Sequence, residues 1–231
     1  MNILINGGTR GIGKETALYL SENRDNHVIV TGRDEDDLGK MALSGTHNNI
    51  SSIAIDLSLV DDYAVSFREQ VYNRFSIIDI LINNAGMLIN KEFMQFRNEE
   101  ARLLMETNFF GPAAMIRLLK PLMKRGTHIV NIASMGGFQG SSKYSGLSYY
   151  SCSKAALVCL TECLAAEFNQ DEIIVNCLAL GSVQTEMFNE AFPGFRAPVE
   201  AKDMGLYIGD FAVNGKKFFN GKILPVAFSN P

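Results

Sequence analysis

The chain is poor in the residues that build metal centres. Its 231 residues contain three histidines, at positions 27, 47 and 128, and four cysteines, at 152, 159, 163 and 177. No CxxC pair occurs, and no histidine stands at ligand spacing from an acidic residue. No metal site is therefore expected, and the cysteines read as buried, reduced thiols. Cys159 and Cys163, one helical turn apart, are expected to face a core or a subunit contact rather than a reactant. A surplus of basic charge is also missing. The net charge is −4, which leaves no footprint for nucleic acid or an anionic membrane surface. No apolar run approaches the roughly 20 residues of a membrane helix. The opening residues, MNILINGG, lack the basic start and long apolar stretch of a signal peptide, which predicts a cytoplasmic protein. Repeats, low-complexity tracts and linkers are absent too, so residues 1–231 read as one domain.

What the sequence does contain is alternation. Short Val- and Ile-rich runs at 2–6, 27–31, 50–55, 78–82, 128–133, 173–178 and 223–226 are separated by helical patterns at 11–23, 61–74, 98–123, 149–169 and 198–211. Runs that are apolar almost throughout suit parallel strands covered by helices on both faces. The order predicts an α/β fold, a Rossmann-type doubly wound parallel sheet of about seven strands.

The stretch NGGTRGIGKE, residues 6–15, falls between the first strand and the first helix. Ligands of such folds bind at the carboxyl ends of the strands. Gly7 permits the tight turn, while Gly11 and Gly13 let a pyrophosphate approach the helix N-terminus and let the helix pack closely. The spacing is GxxxGxG rather than the dinucleotide fingerprint GxGxxG, and glycine-rich turns also occur without ligands. About 20 residues further on, the second strand ends in Gly32-Arg33. Arg33 and Arg10 suit a ribose 2′-phosphate by charge-assisted, bidentate bonds, which favours NADP(H) over NAD(H). Two alternatives remain open: both arginines are solvated surface charges, or Asp34 accepts from a free 2′-hydroxyl.

The sharpest signal is SYYSCSKAAL, from Ser148. Tyr150 and Lys154 stand i,i+4, one turn apart on a helix face. An ammonium near a phenol favours the phenolate and brings its pKa towards neutrality, as a proton donor and acceptor requires. Tyr149 has Ser153, not a lysine, four positions on.

With these residues in place, the chain resembles a single-domain short-chain dehydrogenase/reductase from end to end, similar to 3-oxoacyl-ACP reductases and carbonyl reductases. NGGTRGIG stands where that family has TGxxxGIG, Asp56-Leu57 follows the third strand, and NNAG (83–86) follows the fourth. Asn108 lies in METNFFG, Ser134 in IVNIASMGG, and LGSVQT (180–185) stands where the family has PGxVxT. The resemblance implies an NADP(H)-dependent oxidoreductase with Ser134, Tyr150, Lys154 and Asn108 as its catalytic set. Ser134 would bind the substrate carbonyl, Tyr150 would protonate it, and Lys154 would hold the nicotinamide ribose and lower the tyrosine's pKa. Asn108 would join a water relay. The coenzyme is expected along Gly7, Thr9, Arg10, Gly11, Ile12 and Gly13, with Arg33, Asp56 and Leu57 beneath the adenosine. Asn84, Ala85 and Gly86 are expected beside the ribose, and Gly181, Val183 and Thr185 at the nicotinamide carboxamide. The expected partners are a small carbonyl or alcohol substrate and further copies of the chain, as homodimer or homotetramer.

Pro112 adds an expectation of its own. Lacking an N–H, it withholds the helical partner of the Asn108 carbonyl, so the helix should kink there and the carbonyl should seat a water. Asn6, where the family has threonine, should still hydrogen-bond the turn. Leu180, where the family has proline, should loosen the loop towards the nicotinamide. The long spacing from Ser134 to Tyr150 should form a distinct wall of the substrate cleft. Residues 186–200, rich in phenylalanine and carrying Arg196, should form a lid for a carbonyl compound with an apolar body, or simply pack onto the domain. The end, NGKILPVAFSNP, lacks the family's glycine pair. A non-catalytic NADP-binding module is the rival reading. It predicts an eroded catalytic set, whereas all four residues are present.

Overall fold

The computed structural model describes residues 1–228. Strands β1 (Asn2–Asn6), β2 (His27–Gly32), β3 (Ile50–Ala54), β4 (Ile78–Asn83), β5 (Met123–Ser134), β6 (Ile174–Leu180) and β9 (Ile223–Val226) form one parallel sheet in the order β3-β2-β1-β4-β5-β6-β9. A two-stranded ribbon, β7 (Val183–Gln184) with β8 (Val199–Glu200), stands apart. The helices are α1 (Gly11–Ser21), α2 (Glu35–Ala42), α3 (Val60–Tyr72), α4 (Asn98–Met105), α5 (Gly111–Leu119), α6 (Ser148–Glu167), α7 (Glu186–Ala191) and α8 (Ala201–Asn214).

The strands are apolar throughout because both sheet faces are covered. Ile3 and Ile5 of β1 pack with Leu20 of α1, Leu38 of α2 and Ile208 of α8 in one cluster. Leu4, pointing the other way, packs with Phe67 of α3, Met115 of α5 and Ala165 of α6 in a second. Period-2 alternation thus feeds two cores rather than one core and a wet face. From β1 the chain winds outward through β2 to β3, then crosses back to place β4 on the other side of β1, and this switch point opens a crevice at the carboxyl ends of the strands.

Several expectations are corrected. Helix α2 lies in EDDLGKMA, a segment without an assigned element in the sequence reading. Asp34 caps it by accepting from the Asp37 amide at 2.9 Å, and Glu35, Asp36 and Asp37 stand against the positive end of its dipole. The stretch 98–123 is not one helix. A π-helical turn, Glu106–Phe110, separates α4 from α5, and a 3-10 turn ends at Leu122. Pro112 is the reason: it sits in the first turn of α5, where its missing N–H costs nothing, and the Gly111 amide reaches back five residues to the Glu106 carbonyl. The expected kink is therefore a π turn centred on Asn108. Strand β5 begins at Met123, with a register shift before His128 resumes the pairing. Three of the four cysteines are exposed, Cys152, Cys159 and Cys163, and only Cys177 is buried. The three exposed thiols share the outer face of α6, whose inner face carries Lys154, Leu157 and Thr161.

Among the described residues, no helix is long and apolar enough to cross a membrane.

Candidate active site

A cleft of about 880 Å³ opens at the switch point. Its floor is the glycine turn. Gly7 has φ +77°, and a Cβ there would lie 2.6 Å from the Ala85 Cα, so only glycine fits between β1 and the loop after β4. The Asn84 amide group ties the turn by donating to the Gly7 carbonyl at 2.8 Å. Arg10 precedes α1 in an extended conformation and supplies no side-chain cap. The first amides of α1 therefore face the cleft without an acceptor from the cap, an arrangement suited to an anion. Gly13 does not line the cleft. It serves the packing instead, since a Cβ there would collide with the Gly7 carbonyl and the Asn84 side chain.

At one end of the cleft lie Arg33, Asp34, Asp37, Asp56 and Leu57. The carboxylate of Asp56 is partly committed, accepting from the Ser58 amide at 2.9 Å and its hydroxyl at 2.7 Å. Arg33 is exposed, and a guanidinium nitrogen of Arg10 stands 4.0 Å from Glu190 on α7.

At the other end, Ser134 at the tip of β5 meets Tyr150 and Lys154 in the first two turns of α6. Gly137 permits this approach, because a Cβ there would press on the main chain of Lys154 and Ala155. The Tyr150 phenol lies at this end of the cleft beside Ser134, whose hydroxyl accepts from the Gly136 amide at 3.1 Å. Burial pushes the phenol's pKa up and the neighbouring Ser134 hydroxyl pulls it down, with burial the larger effect. Lys154 stands one turn on from Tyr150 along the same helix. Its ammonium is turned to the Ile132 carbonyl, 2.9 Å away, and burial brings its own pKa down to about 8.

Asn108 is buried in the π turn, behind the cleft wall rather than on it. Its side-chain nitrogen donates to the Met87 carbonyl and to Ser153 Oγ, both at 2.9 Å, and its oxygen accepts from the Met87 amide at 2.8 Å. Both side-chain N–H groups are used, while the oxygen accepts one bond and has capacity for a second; Pro112 denies the main-chain carbonyl an i+4 amide. Gly86 separates it from Lys154: a Cβ there would stand 3.1 Å from the ammonium and 3.2 Å from Asn108 Oδ1.

The remaining anticipated residues, Thr9, Gly11, Ile12, Ala85, Gly181, Val183 and Thr185, all line the cleft. Thr185 caps α7 by accepting from the Phe188 amide at 3.1 Å. Asn6 does not reach the turn with its side chain. It lies inside the sheet, bonded to Asn83 and Thr31. Leu180 does not loosen its loop, since it extends β6 and pairs with Ser134 on one side and Val226 on the other. Residues missed by the sequence reading include Leu88, Tyr144, Leu147 and Phe228, which line the cleft along with the Phe188–Phe192 pair. Tyr144 comes from the expected wall between β5 and α6. Phe228 ends the described part of the C-terminal stretch, whose last three residues lie outside it.

Comparisons agree with this geometry. The family model described as short chain dehydrogenase matches residues 1–194. A dehydrogenase/reductase SDR family member 7B of Xenopus laevis is 32% identical over 202 residues, covering 83% of this chain and 61% of the relative's own length. A 3-oxoacyl-acyl-carrier-protein reductase of Aquifex aeolicus is 30% identical over 80% of this chain and 74% of its own. Among solved structures, a short chain dehydrogenase/reductase family protein superposes with a TM-score of 0.83 at 25% identity, covering 98% of this chain and 95% of the other. A short chain dehydrogenase from Burkholderia cenocepacia in complex with NADP does so with a TM-score of 0.84 at 22% identity, covering 97% and 95%. The chain belongs to the short chain dehydrogenase family, a family of oxidoreductases.

Proposed function

We propose that the protein is a cytoplasmic, NADP(H)-dependent reductase of a small carbonyl compound, or the reverse dehydrogenase of the secondary alcohol. In this reading residues 1–231 form one coenzyme-binding domain with a lid near 186–200. The observation that carries it is the gathering of Ser134, Tyr150 and, one helical turn on, Lys154 at the end of a glycine-floored cleft. The uncapped α1 N-terminus and the space kept open by Gly7 fit the pyrophosphate of a nicotinamide dinucleotide, which when bound supplies or accepts the hydride.

The residues would divide the remaining work. Ser134 orients the substrate oxygen by hydrogen bonding. Tyr150, held protonated by its surroundings, donates a proton to that oxygen as negative charge develops on it. Lys154 holds the ribose hydroxyls. The Asn108 carbonyl offers an acceptor through which the proton can be restored. The wall of Tyr144, Leu147, Phe188 and Phe192 excludes water and suits an apolar substrate body.

Arg10 and Arg33 favour a 2′-phosphate. Asp34 and Asp37 line the same end of the cleft and support a second reading, NAD-dependent alcohol oxidation. Titration with NADPH and NADH, followed by nicotinamide fluorescence, separates the two. A preference for NADPH that disappears in Arg33→Ala supports the first, and equal or tighter NADH binding supports the second. Binding of neither returns the chain to a non-enzymatic role. Assembly into dimers or tetramers through the long helices is part of the proposal and is tested by light scattering.

A further inference from the structure

Three asparagines occupy matched positions on neighbouring strands. Asn6 of β1 pairs in register with Asn83 of β4, and Asn83 with Asn131 of β5. On the other side Asn6 pairs with Thr31 of β2. Their side chains form one line of hydrogen bonds through the sheet. Thr31 Oγ1 donates to Asn6 Oδ1 at 3.1 Å, Asn6 Nδ2 to Asn83 Oδ1 at 2.7 Å, and Asn83 Nδ2 to Asn131 Oδ1 at 2.8 Å. Asn131 Nδ2 then donates to Thr161 Oγ1 on α6 at 2.9 Å, and Thr161 donates to the Leu157 carbonyl at 2.9 Å. Every donor points the same way, and all five residues are 0–1% exposed.

The two ends of this line are the two halves of the cleft. Thr31 and Asn6, whose side chains begin it, hold the glycine turn and the adjoining loop after β4, respectively, with their main-chain carbonyls. Thr31 accepts from the amides of Gly7 and Gly8 at 3.1 and 3.0 Å, and Asn6 from those of Asn84 and Ala85 at 3.2 and 2.7 Å. Thr161, where it ends, lies seven positions after Lys154 on the same buried face of α6. Asn6, Asn83, Asn131 and Thr161 themselves do not line the cleft.

We infer that Asn6, Asn83, Asn131 and Thr161 are positioning residues that fix the coenzyme turn relative to the Tyr150–Lys154 helix, resting on the reading of the cleft as a nicotinamide-dinucleotide site. Stability alone does not call for such a line, because a buried polar network exchanged for apolar groups of matching shape is often neutral. A carboxamide donates and accepts at once, so it can pass a geometric constraint from strand to strand, whereas a threonine at position 6 has one hydroxyl and a shorter reach. This gives the departure at Asn6 a role.

The test uses Thr161→Val, which keeps the shape and removes the acceptor of Asn131, far from the glycine turn. Asn176→Ala is the control. Asn176 is an equally buried amide bonded to His128 and the Phe219 carbonyl, off the line. At temperatures where circular dichroism shows each variant folded, Thr161→Val is expected to weaken NADPH binding by about 3- to 10-fold. Asn176→Ala is expected to leave it within about two-fold, and Thr161→Ser, which restores the hydroxyl, to recover it. Should Thr161→Val not fold, Asn6→Thr cuts the same line and is expected to weaken binding equally. Unchanged affinity in the cut variants, or an equal loss in Asn176→Ala, overturns the inference. Absence of NADPH and NADH binding in the unaltered protein overturns the coenzyme reading, and this inference with it.

Discussion

The ammonium of Lys154 donates to the main-chain carbonyl of Ile132, 2.9 Å away, across the junction of α6 and β5. That bond anchors the charge beside Tyr150 while burial holds its pKa at about 8 rather than the ordinary 10.5. The group is therefore charged below pH 8 and neutral above it. If the ammonium binds the ribose, NADPH affinity is constant below pH 7 and falls as pH rises through 8. In Lys154→Arg, whose guanidinium keeps its charge, the fall disappears. Fluorescence titrations between pH 6 and pH 10 measure both curves, and an identical decline in the arginine variant would assign it to another group.

Tyr150→Phe removes the phenol hydroxyl that stands in the cleft with Ser134 and Lys154. Turnover of any carbonyl compound reduced by the unaltered protein is expected to drop by about 10²- to 10⁴-fold. NADPH affinity should change by less than about two-fold. Retained turnover would remove Tyr150 from the mechanism.

Glu190 stands 4.0 Å from Arg10, with both side chains largely exposed. The pair contributes little to stability, yet its carboxylate occupies the guanidinium that a 2′-phosphate would need. Glu190→Gln should therefore tighten NADPH by about two- to five-fold at low salt, with the gain lost in high salt. NADH should not respond. An equal gain for NADH would show that Arg10 acts on the pyrophosphate instead.

His128 is buried in β5, its Nδ1–H donating to the Ala212 carbonyl at 2.8 Å and its Nε2 accepting from Asn176 at 3.0 Å. A neutral ring satisfies both bonds, and burial lowers its pKa from 6.5 to about 4. The unfolded chain binds this proton below pH 6.5 and the folded protein does not, so stability falls as pH drops from 6.5 to 4. The loss through this residue is on the order of 3 kcal/mol. Urea denaturation of His128→Gln should show a shallower acid limb, and a superimposable one would refute the assignment.

Much of the fold was legible because the strands are short, apolar and regularly interrupted. The seven strands of the main sheet were anticipated, and the glycine turn and the Tyr150–Lys154 pair fell where strand and helix boundaries put them. What escaped depended on local competition or on distance. Helix α2 is acidic and only eight residues long, so its signal is the Asp34 cap rather than an apolar stripe. The break at Asn108 was readable from Pro112, but its form was not, since a π turn and a kink answer the same missing amide. The apolar lining of the cleft draws Leu88, Tyr144 and Phe228 from three distant segments, and only the folded chain brings these segments to one cleft. Cysteine burial was misjudged because helix spacing gives a shared face without saying whether that face points inward.

Strand β1 is buried on both sides, by Ile3 and Ile5 on one and Leu4 on the other. Apolar alternation therefore does little to tell correct pairing from a shift by one residue, since either face would accept what the shift delivers. The asparagines remove that ambiguity. Sliding β1 by one position against β4 would turn Asn6 to the opposite face and leave carboxamides of both strands without partners, at about 1–3 kcal/mol for each stranded group. The line of amides thus gives the two-sided core a unique alignment, and the glycine turn that follows β1 starts at one defined height above the sheet.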